Sequence, residues 1–346
     1  MAVATVRVEP LDDTSAALWD RFVEAAPDAT FFHRSGWRTV IERSFGHPCH
    51  FLLARQGERI TGVLPLVHVC SRLFGNRLIS SACCVYGGPV ASDEASLQAL
   101  DRAARQLTED LEVDYLEYRL RRPSRRPWAR SSDLYATFRR PLAPEADVNL
   151  QAVPRKRRAM IRKGIAHGLI SEPDPDIHRF YAVYTGSVRD HGTPAYPRSY
   201  FRALLDVFAA ACEILTVVNG RQPLASVLSF RFRDQVLPYH GGVTREGRRY
   251  AASDFLYWEV MRRACECGAR VFDFGRSKTG TGAFAYKRNW GFEPEPLHHE
   301  YLLIRGSKRP ELNPLNPRYA ALIALWRRLP LSLANALGPL ISRGLG

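Results

Sequence analysis

Two stretches of this chain carry side chains suited to acyl or phosphoryl chemistry. The first is VLPYHGGVT, Val236 to Thr244, where Tyr239 and His240 precede a glycine pair. An imidazole is the side chain whose ordinary pKa suits proton transfer near neutrality, although a histidine on a strand equally serves as a satisfied structural residue. Gly241 and Gly242 end that strand just before a helical segment. A helix N-terminus leaves backbone N–H groups unpaired and carries partial positive charge, and glycines let a phosphate approach closely. The cations of TREGRR, Arg248 and Arg249 among them, stand beside this turn, and Ser253 or Asp254 can cap the helix that follows. The alternative is a glycine pair that simply ends a strand at a bulge.

The second stretch is FDFGRSKTGTGAFAYKRNWG, Phe272 to Gly291. Arg276 and Lys278 are better suited to grip phosphate than to move protons. Asp273 is a candidate carboxylate partner for a base, or orders the following loop by accepting backbone hydrogen bonds. Gly280-x-Gly282-x-x-Ala285 matches a dinucleotide fingerprint on paper, but Tyr286-Lys-Arg-Asn-Trp-Gly291 is too short and Gly-broken for the crossover helix that motif needs. Gly275-Arg-Ser-Lys lacks the Gly-Lys-Ser/Thr of a phosphate loop. No Ser-His-Asp or Cys-His arrangement points to a covalent enzyme. Cys83-Cys84 sits in an apolar run that reads as a buried strand.

The elements that position these residues occur twice. Helical segments SGWRTVIERSF and RSYFRALLDVFAA precede the hairpins FLLARQGERITGVLPL (51–66) and ILTVVNGRQPLASVLSF (214–230). Strands ending in glycines follow, SACCVYGGPV (81–90) and VLPYHGGVT. Then come helix-period segments, EASLQALDRAARQLTED and SDFLYWEVMRRACECGA, and strands VDYLEYR and RVFDFGRS. A tandem repeat is the best account of one order occurring twice. The Pro- and Arg-rich segment 121–153 joins the copies, and its YATFRRPL is expected to close the first sheet. A basic helix, Arg155 to Lys163, opens the second copy; its Arg158 and Arg162 read as a solvated face or a phosphate grip.

A length of 346 residues fits two domains, and 46% hydrophobic with 24% charged residues describes a globular protein. No N-terminal signal peptide and no membrane-span-length apolar window are visible. The 7 cysteines are odd in number and lie mostly in apolar runs, as buried free thiols of a reduced compartment would. Cys265-Glu-Cys267 lacks a second ligand pair, so no metal is expected. The net charge of +14 suits a polyanionic partner or a generally basic surface. The tail, ALIALWRRLPLSLANALGPLISRGLG, is apolar and broken by Pro330 and Pro339; it docks on the protein or lies on a membrane surface.

Helix, hairpin, strand, glycine turn, helix and strand make the plan of the GNAT acyltransferase fold. The tandem arrangement, with AFAYKRNWGFEPEP (283–296) and PRKRRAMIRKGIAHGL (154–169), resembles the Fem family of peptidyl and aminoacyl transferases and the related acyltransferases of the BioF2-like kind. Within it, FFHRSGWRTVIERSFGH, GVLPLVHVCSRLFGNRLIS, VFDFGRSKTGTGAFAYKRNWGFEP and NPLNPRY look like the branch associated with exosortase and PEP-CTERM systems. The resemblance implies an α/β (α+β) chain of two GNAT-like domains, 1–145 and 146–306, each a mixed, mostly antiparallel sheet flanked by helices, and a tail, 307–346. It implies a cytoplasmic enzyme that transfers an acyl or aminoacyl group directly to an amine of a cell-envelope or exopolysaccharide-related precursor.

The resemblance also puts Lys287 at the lysine near the transferred carbonyl, flanked by Phe284 and Tyr286. The second copy is then the active one, and Tyr86, Gly87 and Gly88 of the first supply a wall of the cleft. The donor is phosphorylated, acyl-CoA or aminoacyl-tRNA; the acyl-CoA loop signature Gln/Arg-x-x-Gly-x-Gly/Ala is absent from both copies, which puts simple acetyl-CoA use in doubt. Stable DNA binding is not expected, and peripheral inner-membrane contact through the tail is the alternative to its docking on the protein. The other class of reading is a non-catalytic basic module holding nucleic acid or an anionic polymer. The enzymatic reading expects Lys287, Tyr239 and His240 to line one cleft of roughly 300–1,000 Å³.

Overall fold

The computed structural model describes residues 5–71, 74–304 and 317–345. It divides into two compact units. The first holds residues 1–134, 296–311 and 343–346, and the second 135–295 and 312–342. The expected boundary at 306/307 and most of NPLNPRY lie outside the described residues.

In the first unit the strands are β1 (Arg7–Pro10), β2 (Cys49–Gln56), β3 (Arg59–Ser71), β4 (Gly75–Ser80), β5 (Val90–Ala91), β6 (Tyr115–Leu120) and β7 (Ala129–Ser131). The second contributes β8 (Tyr135–Pro141), β9 (Ile170–Pro173), β10 (Cys212–Asn219), β11 (Gln222–Phe232), β12 (Gln235–Val243), β13 (Val271–Asp273), β14 (Ser277–Lys278) and β15 (Pro294–Pro296). A last strand, β16 (His298–Leu303), returns to the first sheet. The sheets run β1-β2-β3-β4-β6-β16-β7 and β14-β8-β13-β12-β11-β10-β9. Both are antiparallel except at one pair each, β4 with β6 and β12 with β13. A parallel pair needs a crossover. Helix α3 (Glu94–Asp110) supplies it in the first unit and α9 (Ala252–Glu266) in the second. This is the expected tandem GNAT-like architecture.

The hairpin turns carry left-handed Gly57 and Gly220 at matching places. Helix α1 (Ala16–Ala25) and helix α2 (Gly36–Phe45) precede the first hairpin. The second copy has α4 (Ala146–Ala152), the basic α5 (Arg155–Ala166), α6 (Ile177–His191) and α7 (Arg198–Phe208) before its hairpin, and a short α8 (Arg245–Arg249) before α9. After β14 comes α10 (Gly282–Asn289), and the chain ends in α11 (Pro317–Arg328) and α12 (Leu331–Leu345). Pro330 separates those two helices, while Pro339 is carried inside α12. No helix among the described residues is long and apolar enough to cross a membrane.

Two local expectations are corrected. YATFRRPL does not close the first sheet; as β8 it pairs with β13 and β14 of the second. Its Thr137 and Arg139 meet buried Asp273, which ties the strand there. The first sheet takes β16 instead. Glu300 of β16 pairs with Arg130 at 2.8 Å, and His299 donates or shares a proton with Glu117 at 2.8 Å. Burial pushes the Glu117 carboxyl up, but Arg119 and His299 together hold it well below the usual carboxylate range. The expected strand over 81–90 is also displaced: the strand is Gly75–Ser80, and Ser81 and Cys83 take left-handed φ values of 52° and 62°, which end the extended run. The cysteines are buried at 83, 84, 212 and 265, whereas Cys70 and Cys267 are exposed.

Helix α6 lies close on β12, and Gly242 makes that approach work. A Cβ there would sit 2.7 Å from Ser187 Cβ and 2.8 Å from the Val183 carbonyl oxygen. Gly186, midway along α6, faces open space with nothing within 4 Å of its Cβ position. Gly242→Val therefore lowers stability by about 1–3 kcal/mol through overpacking. Gly186→Ala raises it by about 1 kcal/mol through helix propensity. Denaturant unfolding of both variants checks the opposite signs.

Candidate active site

The chemistry-bearing loop follows β13. Asp273 is 1% exposed and opposite Arg139 in the β13–β8 register. Its carboxylate accepts from the Gly275 N–H at 2.8 Å and from the Thr137 hydroxyl at 3.4 Å, and pairs with Arg139 at 3.2 Å. Asp273 therefore acts on the loop, as the second of its two sequence readings has it. Gly275 adopts φ 69°, a turn that glycine alone enters without strain. The carbonyls of Gly275 and Arg276 then accept from Lys287 Nζ at 2.9 and 3.1 Å.

Lys287 is delivered by α10. Thr281 caps that helix, accepting from the Phe284 N–H and donating to the Lys278 carbonyl at 2.7 Å. The amine sits 5.6 Å from the ring centres of Phe138 and Phe274. The Lys287 stem is half-buried, but its amine is enclosed. Burial pushes its pKa down to about 7; the Asp273 charge opposes this and Arg276 adds to it. Phe284 packs edge-on to Phe138 at 5.2 Å.

Beside this loop a second buried carboxylate organises α9, α10 and α5. Asp254, in the first turn of α9, accepts from Trp290 Nε1 at 3.1 Å and from the Tyr286 hydroxyl at 3.3 Å, and pairs with Arg157 at 3.2 Å. Arg157 also lies over the Tyr286 ring at 4.9 Å, and Ser253 Oγ is 3.3 Å from the Tyr286 hydroxyl. Burial raises the Asp254 pKa against the pull of Arg157. Burial and Asp254 raise the Tyr286 pKa, so the phenol stays protonated. Arg157 was not among the candidates. Its helix is amphipathic with Ile161 and Gly164 buried at the following i+4 and i+7 positions, and that shared face is the signal that could have found it. Arg158 instead donates to the Gln151 carbonyl at 3.0 Å, and Arg162 is exposed.

His240 belongs to a different cluster. The β11–β12 register shifts so that Leu228 faces His240 and Ser229 faces Pro238, leaving Tyr239 as a bulge. The imidazole is surrounded by Tyr184, Tyr196, Tyr200, Phe201 and Tyr239, with the Tyr200 hydroxyl 3.3 Å from Nε2. Burial pushes its pKa down to about 3. Enclosure among these rings favours the neutral imidazole. No described hydrogen bond or ring contact joins this cluster to Lys287.

The glycine pairs also serve close packing. Gly242 admits α6, and a Cβ on Gly241 would meet the Ser226 carbonyl at 3.1 Å. Past its pairing with β13 at Gln235 and Val236, β12 continues to Val243, so the two parallel strands part there. Arg248 and Arg249 are exposed, with Arg248 3.9 Å from Asp190. In the first unit Ser81–Gly88 fills the corresponding crevice. Tyr86 is buried against Phe32, the Gly87 N–H donates to the Arg119 carbonyl at 2.7 Å, and Gly88 abuts Leu120.

Two cavities of about 190 and about 180 Å³ lie elsewhere, at Leu11–Glu42 and at Ala182–Arg245, and neither includes Lys287, Tyr239 or His240. Among the described residues no group of three or more His, Cys, Asp or Glu could hold a metal ion.

The Lys287 environment has a measurable signature. After reductive methylation with isotopically labelled formaldehyde, NMR should show Lys287 titrating near 7, far below the ordinary lysine value of about 10.4. Arg276→Met should move that midpoint up. Because the folded pKa lies below the unfolded one, the cost of charging Lys287 is fully present below about pH 7 and is lifted as pH rises towards about 10.4. Wild-type stability should therefore gain on Lys287→Met across that window.

Residues 150–288 match the family described as "Acetyltransferase (GNAT) domain". No curated protein matches the sequence. Among solved structures, FemX is similar with a TM-score of 0.69 at 13% identity, over 86% of this chain and 98% of that one. A tandem GNAT protein from the clavulanic acid biosynthesis pathway is similar at 0.54 and 15%, over 88% and 100%. The C-terminal domain of a putative lysylphosphatidylglycerol synthetase from Agrobacterium fabrum is similar at 0.54 and 13%, over 85% and 92%. At these identities the likeness is one of fold. The chain has a tandem GNAT fold, and its residues 150–288 match a GNAT acetyltransferase domain.

Proposed function

We propose that the second unit transfers an acyl or aminoacyl group directly from a phosphorylated donor, acyl-CoA or aminoacyl-tRNA, to an amine of a cell-envelope or polysaccharide precursor. The observation that carries this reading is the enclosed Lys287 amine, fixed by two carbonyls on a loop that Asp273 clamps. An ammonium has three donors, and two are committed here, so one remains for a substrate oxygen. In the reaction the acceptor nitrogen attacks the acyl carbon, the C–N bond forms, and the C–S or C–O bond to the donor breaks. The amine proton leaves with the donor's thiol or hydroxyl. Lys287 donates to the oxyanion that develops on the acyl oxygen, in an environment where burial strengthens that contact. The similar lysylphosphatidylglycerol synthetase domain is named for aminoacyl chemistry, which supports an aminoacyl or acyl donor for this fold. The PEP-CTERM and exopolysaccharide setting, and a cytoplasmic location, rest on the sequence resemblance.

Native mass spectrometry of the purified protein, followed by transfer assays with whatever nucleotide, CoA or RNA co-purifies, tests the reading. Lys287→Met should lower kcat by roughly 100-fold or more with little change in donor affinity. Retained RNA with no transfer from any acyl-CoA or aminoacyl-tRNA would instead favour a non-catalytic binding module.

We further propose that the C-terminal helices rest on an anionic membrane surface. Helix α11 packs inward through Ile323 and Arg327 against Gly192, and α12 through Gly338 against Ala195. Leu322 and Leu325 of α11, and Leu333, Leu337 and Leu340 of α12, are exposed, the last at 73%. Residues 317–345 contain no acidic side chain, while Arg327 and Arg328 are exposed. The protein should sediment with phosphatidylglycerol vesicles and not with phosphatidylcholine ones, and Leu325→Glu with Leu340→Glu should abolish it. Sedimentation unaffected by those substitutions would overturn the contact.

A further inference from the structure

We propose that Arg276 and Lys278, both set against the Tyr135 ring, form a binding site for a phosphoryl group on the second unit. Strand β14 pairs with β8 so that Lys278 stands opposite Tyr135. Arg276 is two residues earlier, and residues at that spacing along an extended segment leave on the same side. The Arg276 guanidinium lies 4.6 Å from the Tyr135 ring centre and Lys278 Nζ lies 5.8 Å from it.

Lys278 is only 9% exposed, and its amine has no hydrogen-bond partner. Neither Arg276 nor Lys278 forms an ion pair with a carboxylate among the described residues. Two like charges share one ring, which attracts cations but accepts no strong hydrogen bond. Such an arrangement is costly without an anion, because a buried charge must be paired. The lysine offers a compact ammonium and the arginine a planar fork of donors, and together they match the oxygens and double charge of a phosphate dianion or a pyrophosphate. A monoanionic carboxylate would neutralise only one of them.

The surroundings agree with this. Burial, with Arg276 adding to it, pushes the Lys278 pKa down to about 8. A bound phosphoryl would restore it, so binding near that pH takes up a proton. The loop tip at Thr279 and Gly280 is exposed, and Arg276 is half-exposed, which gives the site an edge open to solvent. The site also shares its loop with the reaction centre, since the Arg276 carbonyl holds Lys287. Its assignment to the donor's phosphate rests on the transfer reading above; the anion site itself does not.

Isothermal titration with inorganic pyrophosphate tests the proposal. Saturable binding with proton uptake is expected at a pH near the Lys278 midpoint. Lys278→Met should weaken it by about tenfold or more, and Lys278→Arg should keep most of it. Acetate, a monoanionic carboxylate, should bind more weakly at equal ionic strength. Lys278→Met should also raise the melting temperature, since it removes an uncompensated buried charge, so loss of binding would not stem from unfolding. Arg276→Met gives a second reading of the same site. No saturable pyrophosphate binding, or binding unchanged in both Met variants, overturns the site. Displacement of pyrophosphate by CoA identifies a CoA donor, and displacement by tRNA identifies a tRNA one. Displacement by neither, with binding still sensitive to Lys278→Met, leaves the anion site standing and removes its link to the acyl donor.

Discussion

The buried carboxylate of Asp273 is the contact on which the geometry of the loop after β13 depends. It draws together the end of β13, the left-handed turn at Gly275 and, through Thr137 and Arg139, strand β8. A buried carboxylate left unsatisfied would be costly, so the backbone N–H and the arginine are required partners rather than incidental neighbours. The turn it fixes aims two carbonyls at the Lys287 amine. Asp254 does the same for the adjoining helices, binding α5, α9 and α10 through Arg157, Trp290 and Tyr286. Asp273 sets backbone geometry, and Asp254 holds side chains of the adjoining helices in place.

The two copies share a plan but use it differently. Each has a parallel pair with a helical crossover, the place where strands can part. In the first, Ser81–Gly88 folds into that crevice, with Tyr86 buried and Gly87 bonded to Arg119. In the second, β12 and β13 separate after Val236, and the loop beyond β13 brings Lys287, Arg276 and Lys278 close together. Desolvation then acts in one direction on three cationic or basic groups. It lowers Lys287 to about 7, Lys278 to about 8 and His240 to about 3. The lysines thereby enter the range where a proton is easily exchanged, and the histidine leaves it.

Much was legible in local patterns. Both hairpins, the α3 and α9 segments, the parallel crossover and the break at Pro330 follow from glycine turns, helical periodicity and proline chemistry, all of which act over a few residues. The loop at 272–291 could be separated from a dinucleotide or phosphate loop by its length and spacing alone. Lys287 was found because a short motif marks it.

Only the tertiary structure decided where β8 and β16 go. Their sequences suit any sheet edge, and the choice is made by Glu300 with Arg130, His299 with Glu117, and Arg139 with Asp273, partners far away in the chain. The same holds for Arg157, whose carboxylate lies 97 residues on. A strand's period sets which face is apolar, but not which neighbour it joins. The sequence by itself therefore determined the elements and their order. Burial and long-range ion pairs, which no local pattern encodes, decided which strands share a sheet, which glycines serve packing, and which titratable groups change their protonation.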